Sequence, residues 1–581
     1  MLRFAQTCEA IAATSKKLQK TAIVGEYVRA LPASDAAIAA IFLSGRPFAA
    51  YKETTLQVGG ALIWRTVSEL SGKPEEALTM SYRRHGDAGS VAAEVLPAAH
   101  EATLSLASVQ KIFDDIAAAR GPAAKGQLLR ELLGAATPLE AKYIVKIISG
   151  DLRIGLKESL VEEAIAQAWA MPLEKVKRAN MLLGDLGETL QLASRGELDG
   201  ARMRLFHPID FMLASPVDST EEALSYFENA AVEDKYDGIR AQAHISQGVA
   251  RLFSRTRDEI TESFPELPPA LASLHDGTIL DGEIIAWSVA PAPRRQSSSG
   301  DGAASEAHGR ALPFSTLQQR LGRKRVSDKL MRDVPVAYLV FDVICSEGDL
   351  RLDHSLHDRR QILDRLLAKP LTASISQSRL QSRLGFEEEG APSGLVLRAP
   401  VSTAQSADDV ERLFAAARAR GNEGLMIKDL ESLYTPGRRG KSWLKLKREL
   451  ATLDVVVTAV EYGHGKRIGV LSDYTFAVWD GDRLVNIGKA YSGLTDAEIA
   501  EMTEWFLAHV ERDEGMRLQV EPKIVLEVAF NNMMRSSRHE SGYALRFPRI
   551  VRLRPDKLPR DADTLERAKE IYERQNLGAD G

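Results

Sequence analysis

The sequence predicts a multi-domain chain in three parts: an all-α N-terminal region, a mixed α/β (α+β) centre, and a small β-barrel toward the C-terminal end. Three observations predict it. At 581 residues the chain exceeds what one hydrophobic core serves, and length alone suggests roughly three to four domains. The residue pattern changes near position 205, where helical apolar spacing gives way to short β-type runs. It changes again between Glu449 and Asp454, beyond which strand-like segments follow one another closely. The expected division is therefore 1–205, 206–449 and 450–575.

In the first part, Ala- and Leu-rich windows such as GQLLRELLGAATPLEAKYIVKIISG and LVEEAIAQAWAM carry apolar residues at 3.6-residue spacing. Glycines and prolines fall between the windows, where helix ends belong, and no fixed repeat period marks a solenoid. The centre shows RAQAHI, VARLFS, TILDGEIIAW, VAYLVFDVIC and GLMIK, separated by turn residues. Between Ala290 and Arg310 a Pro-, Ser- and Gly-rich stretch lacks apolar periodicity and reads as a surface loop; a second polar stretch runs from Leu371 to Pro392. The last part offers TLDVVVTAVEYG, YTFAVWD, RLVNIGKAYSG and IVLEVAFNN with one helical patch, DAEIAEMTEWFLAHV. About five strands in that length suit a small barrel of the OB type.

Composition excludes several classes. Hydrophobic residues at 44% and charged residues at 27% fit a globular chain. Nothing near the start has the apolar core of a signal peptide, and no run approaches the about 20 apolar residues of a membrane helix, so a cytoplasmic protein is expected. Cys8 and Cys345 stand far apart with no Cys/His cluster, which argues against a zinc site or a disulfide framework and for two small buried hydrophobes. His244, His354, His464 and His539 show no metal-ligand spacing. A net charge of −5 does not mark a generic polyanion binder, but charge is unevenly spread. Thr435 to Arg448 holds six basic residues and no acid, and Arg535 to Arg560 holds eight basic residues and two acids.

The sharpest local signal is Glu233-Asp-Lys235-Tyr-Asp237-Gly238-Ile-Arg240. Alone it divides evenly between a reactive lysine and a surface lysine leading into an Asp-Gly hairpin turn. Its ordered company tips the balance: Ser254-Arg255-Thr-Arg257, Leu280-Asp-Gly-Glu283-Ile, Phe341-Asp342-Val, Glu423-Gly-Leu-Met-Ile-Lys428 and Trp443-Leu-Lys445-Leu-Lys447. The series closes with Arg546-Phe-Pro-Arg549 and Arg554-Pro-Asp556-Lys557. In this order the segments resemble the motifs of the covalent nucleotidyltransferase superfamily, and most closely the ATP-dependent DNA ligases. The resemblance extends to Ile148-Ser-Gly150-Asp-Leu-Arg153-Ile-Gly155-Leu-Lys157-Glu-Ser, which is similar to the DNA-binding domain of such ligases.

The resemblance implies an all-α DNA-binding domain, an adenylation domain of ATP-grasp-like nucleotidyltransferase type and a C-terminal OB-fold. It implies ATP and Mg²⁺, with Mn²⁺ as a substitute, and nicked double-stranded DNA as substrate, handled by a cytoplasmic, nucleoid-associated monomer. Lys235 would be the nucleophile that carries AMP. A lysine amine can form such an adduct once deprotonated, and an ordinary lysine is neutral in only about one molecule in two thousand at pH 7. A cationic surround of Arg, Lys and Mg²⁺ is expected to favour the free amine. Glu233 and Phe341 would recognise adenine. Glu283 would hold the ribose or a metal-bound water, and Glu423 would position the metal. Arg240, Arg255, Arg439, Lys445 and Lys447 would contact phosphates. Arg554 and Lys557 would escort pyrophosphate. Lys142, Lys146, Arg153 and Lys157 would meet the DNA backbone, with Gly150 and Gly155 allowing close approach. Two alternatives stay open: an RNA ligase or GTP-using capping enzyme, which the large helical region fits poorly, and a non-catalytic scaffold of ligase shape.

Overall fold

The computed structural model describes residues 1–52, 54–97, 101–227, 230–289, 309–321, 323, 325–373, 394–447, 451–464 and 467–576. Most of the loop read at Ala290–Arg310 and of the stretch Leu371–Pro392 lies outside them, as does Arg448 of the first basic cluster. The chain divides into two compact units. One comprises Met1–Arg204 with Glu449–Tyr572, the other Leu205–Arg448 with Glu573–Gly581.

The N-terminal part of the first unit is helical from Leu2–Ala12 to Leu186–Arg195. Helix Pro138–Ile148 shows why. Thr137 caps it, accepting from the Glu140 N–H while Glu140 accepts from the Thr137 N–H, and Pro138 sits at the first turn, where a missing N–H costs nothing. Ala141, Ile144, Val145 and Ile147 then fall on the buried side. Phe4, Phe42 and Phe113 meet edge to face at 6.0 and 5.6 Å in the same part. Cys8 is buried there, and Cys345 is buried in the second unit; both are free thiols.

The C-terminal part of this unit is β-rich. Strand Ala451–Tyr462 pairs antiparallel with Leu471–Asp480, Arg517–Val520 and Val525–Phe530. Leu453, Val455 and Val457 on the first strand, Phe476 and Val478 on the second and Leu526 and Val528 on the last alternate into one core. Helix Asp496–Ala508 adds Ile499, Met502 and Phe506 to it. A closing helix, Leu565–Asn576, contributes Leu565, Ala568 and Ile571; its charged sequence had not suggested an element.

The second unit contains two larger sheets. The first has strand order Leu213–Val217, Arg439–Leu446, Gly424–Asp429, Ala230–Lys235, Val401–Ala404. The second runs Val249–Ser254, Ile239–Ser246, Thr278–Val289, Val336–Ser346, Gly394–Arg398, Leu371–Ala373, with short additional strands off that path. Tyr236-Asp237-Gly238 carries the chain from one sheet to the other. The segment is therefore a crossover and not the Asp-Gly hairpin that its sequence also allowed. Gly238 is required for contact and not for turning: a Cβ there would lie 2.4 Å from the Ile284 carbonyl oxygen. The segment entering this unit is pinned from below. The buried His244 accepts at Nδ1 from the Phe206 N–H at 3.1 Å, and Gln242 exchanges two hydrogen bonds with the Ile209 backbone. Burial holds the His244 imidazole down at about 3, so this histidine is a neutral structural acceptor.

Candidate active site

Side-chain alternation builds the site. On strand Ala230–Lys235, Ala230 and Val232 enter the apolar core under the first sheet, together with Leu425, Ile427, Leu444 and Leu446 of its neighbours. Successive side chains of a strand point to opposite faces, so Ala231, Glu233 and Lys235 occupy the other face. Register then brings partners onto it: Gly424 lies opposite Lys235, Met426 opposite Glu233 and Lys428 opposite Ala231. Across the next ladder Lys445 pairs with Met426 and Trp443 with Lys428. The alternation of Trp443-Leu-Lys445-Leu-Lys447 is thus a buried-leucine strand that displays its cations toward Lys235. Gly424 adopts φ +151°, and a Cβ there would lie 2.3 Å from the Leu446 carbonyl oxygen, so no other residue fits opposite the lysine.

The Lys235 amine donates to Glu423 Oε2, and the Lys447 amine reaches the same oxygen at 2.5 Å. Burial would push the Glu423 carboxyl up, but pairing with Lys235 and Lys447 overrides it and holds the group below its ordinary range. The surround of Lys235 is therefore not the purely cationic one expected from sequence; its nearest partner is a carboxylate shared between two ammonium groups. Burial lowers the Lys445 and Lys447 amines. Arg439, Lys235 and Arg255 reinforce the effect at Lys445, and Lys235 does so at Lys447. Lys235, Arg255, Arg439, Lys445 and Lys447 accordingly form one positive neighbourhood, with Arg255 and Arg439 exposed to solvent.

The backbone at Lys235 is clasped from outside the motif. Glu423 N–H donates to the Lys235 carbonyl at 2.8 Å. Asp234, on the opposite face, accepts from Arg420 at 2.8 and 2.9 Å and from Asn422 at 2.7 Å. Arg420 and Asn422 follow helix Ala407–Ala419, whose Val410, Phe414 and Ala417 pack on the core beneath the sheet. The helix thus fixes the strand that carries the lysine. Sequence reading missed this clasp because its members are distant in sequence and polar at a helix end, where solvation is the ordinary fate.

Glu233 is 3% exposed and takes the buried Lys428 amine on Oε2 at 2.5 Å. Its other oxygen, Oε1, is buried with no hydrogen-bond partner, a rare state for a carboxylate. Lys428 also lies 4.2 Å from the centre of the Phe341 ring and 4.3 Å from that of Trp443, and the two rings meet edge to face at 6.0 Å. Phe341 is only partly buried, on the same face of its strand as Ala337 and Leu339. An unsatisfied acceptor beside an aromatic wall suits a flat base bearing an amino donor. The Lys428 role had not been assigned from sequence, although the quoted Glu423–Lys428 motif ends on it.

Arg240 lies opposite Glu283 in the second sheet. Its guanidinium is bidentate to Asp281 at 3.1 and 2.7 Å and also donates to the Met212 carbonyl at 2.6 Å. Tyr434 donates to the same Asp281 at 2.7 Å. Arg240 is thus largely committed to a structural pair, and only part of its fork remains for a phosphate. Glu283 differs. Burial raises its carboxyl to about 7, against the opposing pull of Lys235 and Arg240 and with a further push from Glu423 and Asp281. The sign follows: the folded chain binds this proton more tightly than the unfolded one, so stability falls as pH rises from about 4.5 through 7. Glu283→Gln should therefore stabilise the nucleotide-free chain above pH 7, by about 2 kcal/mol given partial solvent contact, and the gain should vanish below about pH 5. Thermal melts of both proteins across that range check it; a pH-independent gap would contradict the assignment.

Among the described residues no group of three or more His, Cys, Asp or Glu could hold a metal ion. Glu283 and Glu423 form a two-carboxylate set, and Mg²⁺ commonly uses one or two carboxylates plus phosphates and water. The raised carboxyl of Glu283 is what a cation at that place would relieve, so the donor set fits.

In the first unit, the four helical-region cations are placed unequally. Lys142 pairs with Glu9 at 2.5 Å. Lys146 is only 6% exposed and faces Asp87 at 3.4 Å, a buried cation where a surface one was expected. Arg153 and Lys157 are exposed. Arg153, at φ +55°, donates to the Gly86 carbonyl, and it lines a cavity of about 740 Å³ with Lys146, Asp87, Trp64 and Tyr82. Arg554 and Lys557 lie in the β-rich part and are both paired with Asp454.

Fold and comparisons agree on the class, a nucleotidyltransferase of several domains. Residues 211–447 match the family model described as ATP dependent DNA ligase domain, residues 1–166 that of the DNA ligase N terminus, and residues 467–557 that of the ATP dependent DNA ligase C terminal region. A "Probable DNA ligase" of Koribacter versatilis is 57% identical over 99% of this chain and 97% of its own length. A "DNA ligase" of Methanothrix thermoacetophila is 35% identical over 99% and 98%. A solved chain named Pmar-Lig_PreS3 superposes with TM-score 0.60 at 16% identity, covering 95% of this chain and 99% of its own, which shows a shared fold. The chain belongs to the ATP-dependent DNA ligase family, whose members seal nicks in DNA. Among the described residues no helix is long and apolar enough to cross a membrane.

Proposed function

We propose that Lys235 is the nucleophile of this ligase and that the face around it holds ATP. The observation that carries the reading is the combination on one sheet face of a lysine, a carboxylate shared with a second lysine, and a buried unsatisfied acceptor beside Phe341. Glu233 Oε1 accepts from the adenine amino group while Phe341 stacks on the ring. Arg255, Arg439, Lys445 and Lys447, with the free part of Arg240, line the triphosphate, where neutralising charge spread over phosphate oxygens is the main catalytic demand.

Lys235 Nζ attacks the α-phosphorus; a P–N bond forms, the P–O bond to pyrophosphate breaks, and the amine loses its proton. A 5′-phosphate oxygen at the nick then displaces Lys235 from AMP. The 3′-hydroxyl attacks that phosphate, and AMP leaves. Mg²⁺ held by Glu423 and Glu283, with Mn²⁺ as a substitute, would supply Lewis-acid neutralisation of phosphate charge. In the nucleotide-free chain Glu423 holds Lys235 and Lys447 on one oxygen, and it is the carboxylate that would be shared with the metal. Arg554 and Lys557 serve the pyrophosphate end of ATP. The domains read as 1–205 for DNA binding, 206–449 for adenylation and 450–575 as an OB-type barrel, in a cytoplasmic, nucleoid-associated monomer.

Incubation with α-labelled ATP and Mg²⁺ should give a protein–AMP adduct that is cleaved by acid and survives alkali, as the P–N bond of a lysine phosphoramidate does, and label should pass to a nicked DNA duplex. Adduct from GTP in preference to ATP, or binding of nicked DNA with no adduct, would overturn the reading. For DNA engagement, Arg153 and Lys157 are the contacts. Replacing both with Ala should reduce the slope of log K against log salt by up to about 2, measured by nick binding. Adding Lys142→Ala should change that slope little, since Glu9 already holds its charge.

A further inference from the structure

Arg554 and Lys557 do not offer free charge. Arg554 Nη1 donates to both Asp454 oxygens at 2.8 and 3.0 Å, and Lys557 Nζ donates to Asp454 Oδ2 at 2.5 Å. Asp454 is 12% exposed. The remaining edge of the Arg554 guanidinium is bidentate to Asp556, at 2.8 to 3.2 Å, and Glu527 stands 3.8 Å from Nη1. Asp454 is itself fixed. It sits on strand Ala451–Tyr462 between the core residues Leu453 and Val455, its N–H donates to Asp563 at 2.7 Å, and its carbonyl accepts from the Asp563 N–H at 2.8 Å. Two cations are thus gathered on one rigidly held carboxylate, in the geometry by which a phosphate would gather them.

We propose that Asp454 is the resident counter-anion of Arg554 and Lys557, a positioning residue whose carboxylate competes with the triphosphate of ATP for these two cations and so sets the ATP concentration at which the chain adenylates itself. The proposal rests on the reading that Arg554 and Lys557 serve ATP. A polyphosphate carries more charge than a carboxylate and can displace it, but only against a standing pair. The pair keeps both side chains ordered and neutralised when no nucleotide is bound, which prevents them from collecting stray anions.

The test is single-turnover adenylation of the full-length chain over a range of ATP concentrations, with thermal melts alongside. Asp454→Asn should lower the half-saturating ATP concentration by about three- to tenfold, because a charge-assisted competitor is removed while the shape is kept. Asp454→Glu should stay near the parent value. Asp556→Asn removes the exposed partner of Arg554 without risk to the fold, and it should shift the half-saturation in the same direction by a smaller factor; it decides the matter if Asp454→Asn does not fold. Arg554→Ala should raise half-saturation, and combined with Asp454→Asn it should abolish most of the gain. If Arg554→Ala and Lys557→Ala leave adenylation untouched, the ATP role of the two cations fails, and the proposal with it. If they impair it but neither Asp variant lowers half-saturation, the ATP role stands and Asp454 is merely a structural partner.

Discussion

Replacing Lys235 with Ala should abolish covalent uptake of AMP, a fall of at least about 10⁴-fold, since the amine that would form the P–N bond is gone. Lys445 and Lys447 are lysines close to it, but they come from strand Arg439–Leu446 and the residue that follows it, not from the Lys235 position. The same variant should still close a nick whose 5′ end already carries AMP, within about tenfold of the parent, because that last displacement uses the DNA hydroxyl as nucleophile and breaks no bond to lysine. Gel assays with labelled ATP and with a prepared DNA-adenylate separate the two. Adduct found on the variant at parental level would remove Lys235 from the chemistry.

The second large effect belongs to a residue with no assigned role from sequence. Lys428→Met should cost about 3–5 kcal/mol of stability, the usual consequence of removing one partner from a buried ion pair, here the Glu233–Lys428 pair with 3% and 1% side-chain exposure. Burial already lowers the Lys428 amine, with Glu233 as the chief opposing influence. Without Lys428 the Glu233 carboxylate is left buried with no cation to hold its orientation. The surviving adenylation should therefore discriminate less between ATP and GTP. Combining Lys428→Met with Glu233→Gln should recover most of the stability but not the nucleotide preference. Denaturant titrations and paired uptake assays test both halves; a single variant of unchanged stability would show that Glu233 does not depend on its partner.

The comparison with sequence is instructive in the two sheets of the catalytic unit. Strands of the second sheet announced themselves, because TILDGEIIAW and VAYLVFDVIC carry apolar residues that enter cores on both faces, despite Asp281, Glu283 and Asp342 among them. The sheet carrying Lys235 was mostly unread: only Gly424–Asp429 was anticipated, while Ala230–Lys235 and Arg439–Leu446 were seen as motifs without secondary structure. One face of each is charged, and the alternation that would have revealed them was mistaken for a basic cluster. Charge counting along the chain also missed neutralisation across it. The basic run from Arg535 to Arg560 reads as a cationic surface, yet Arg552 is held by Glu527 and Arg554 by Asp454, both from other strands. Local composition carries no information on partners that lie 25 or 100 residues away, and the same limit hid Arg420 and Asn422 behind Asp234.

The alternating strand face has a consequence for how such a chain can change. Deleting or inserting one residue within Ala230–Lys235 would rotate every following side chain by half a turn about the strand, sending the lysine into the leucine layer and Asp234 onto the face that Lys235 now occupies. Length within these strands is therefore constrained by geometry independently of which side chains they carry.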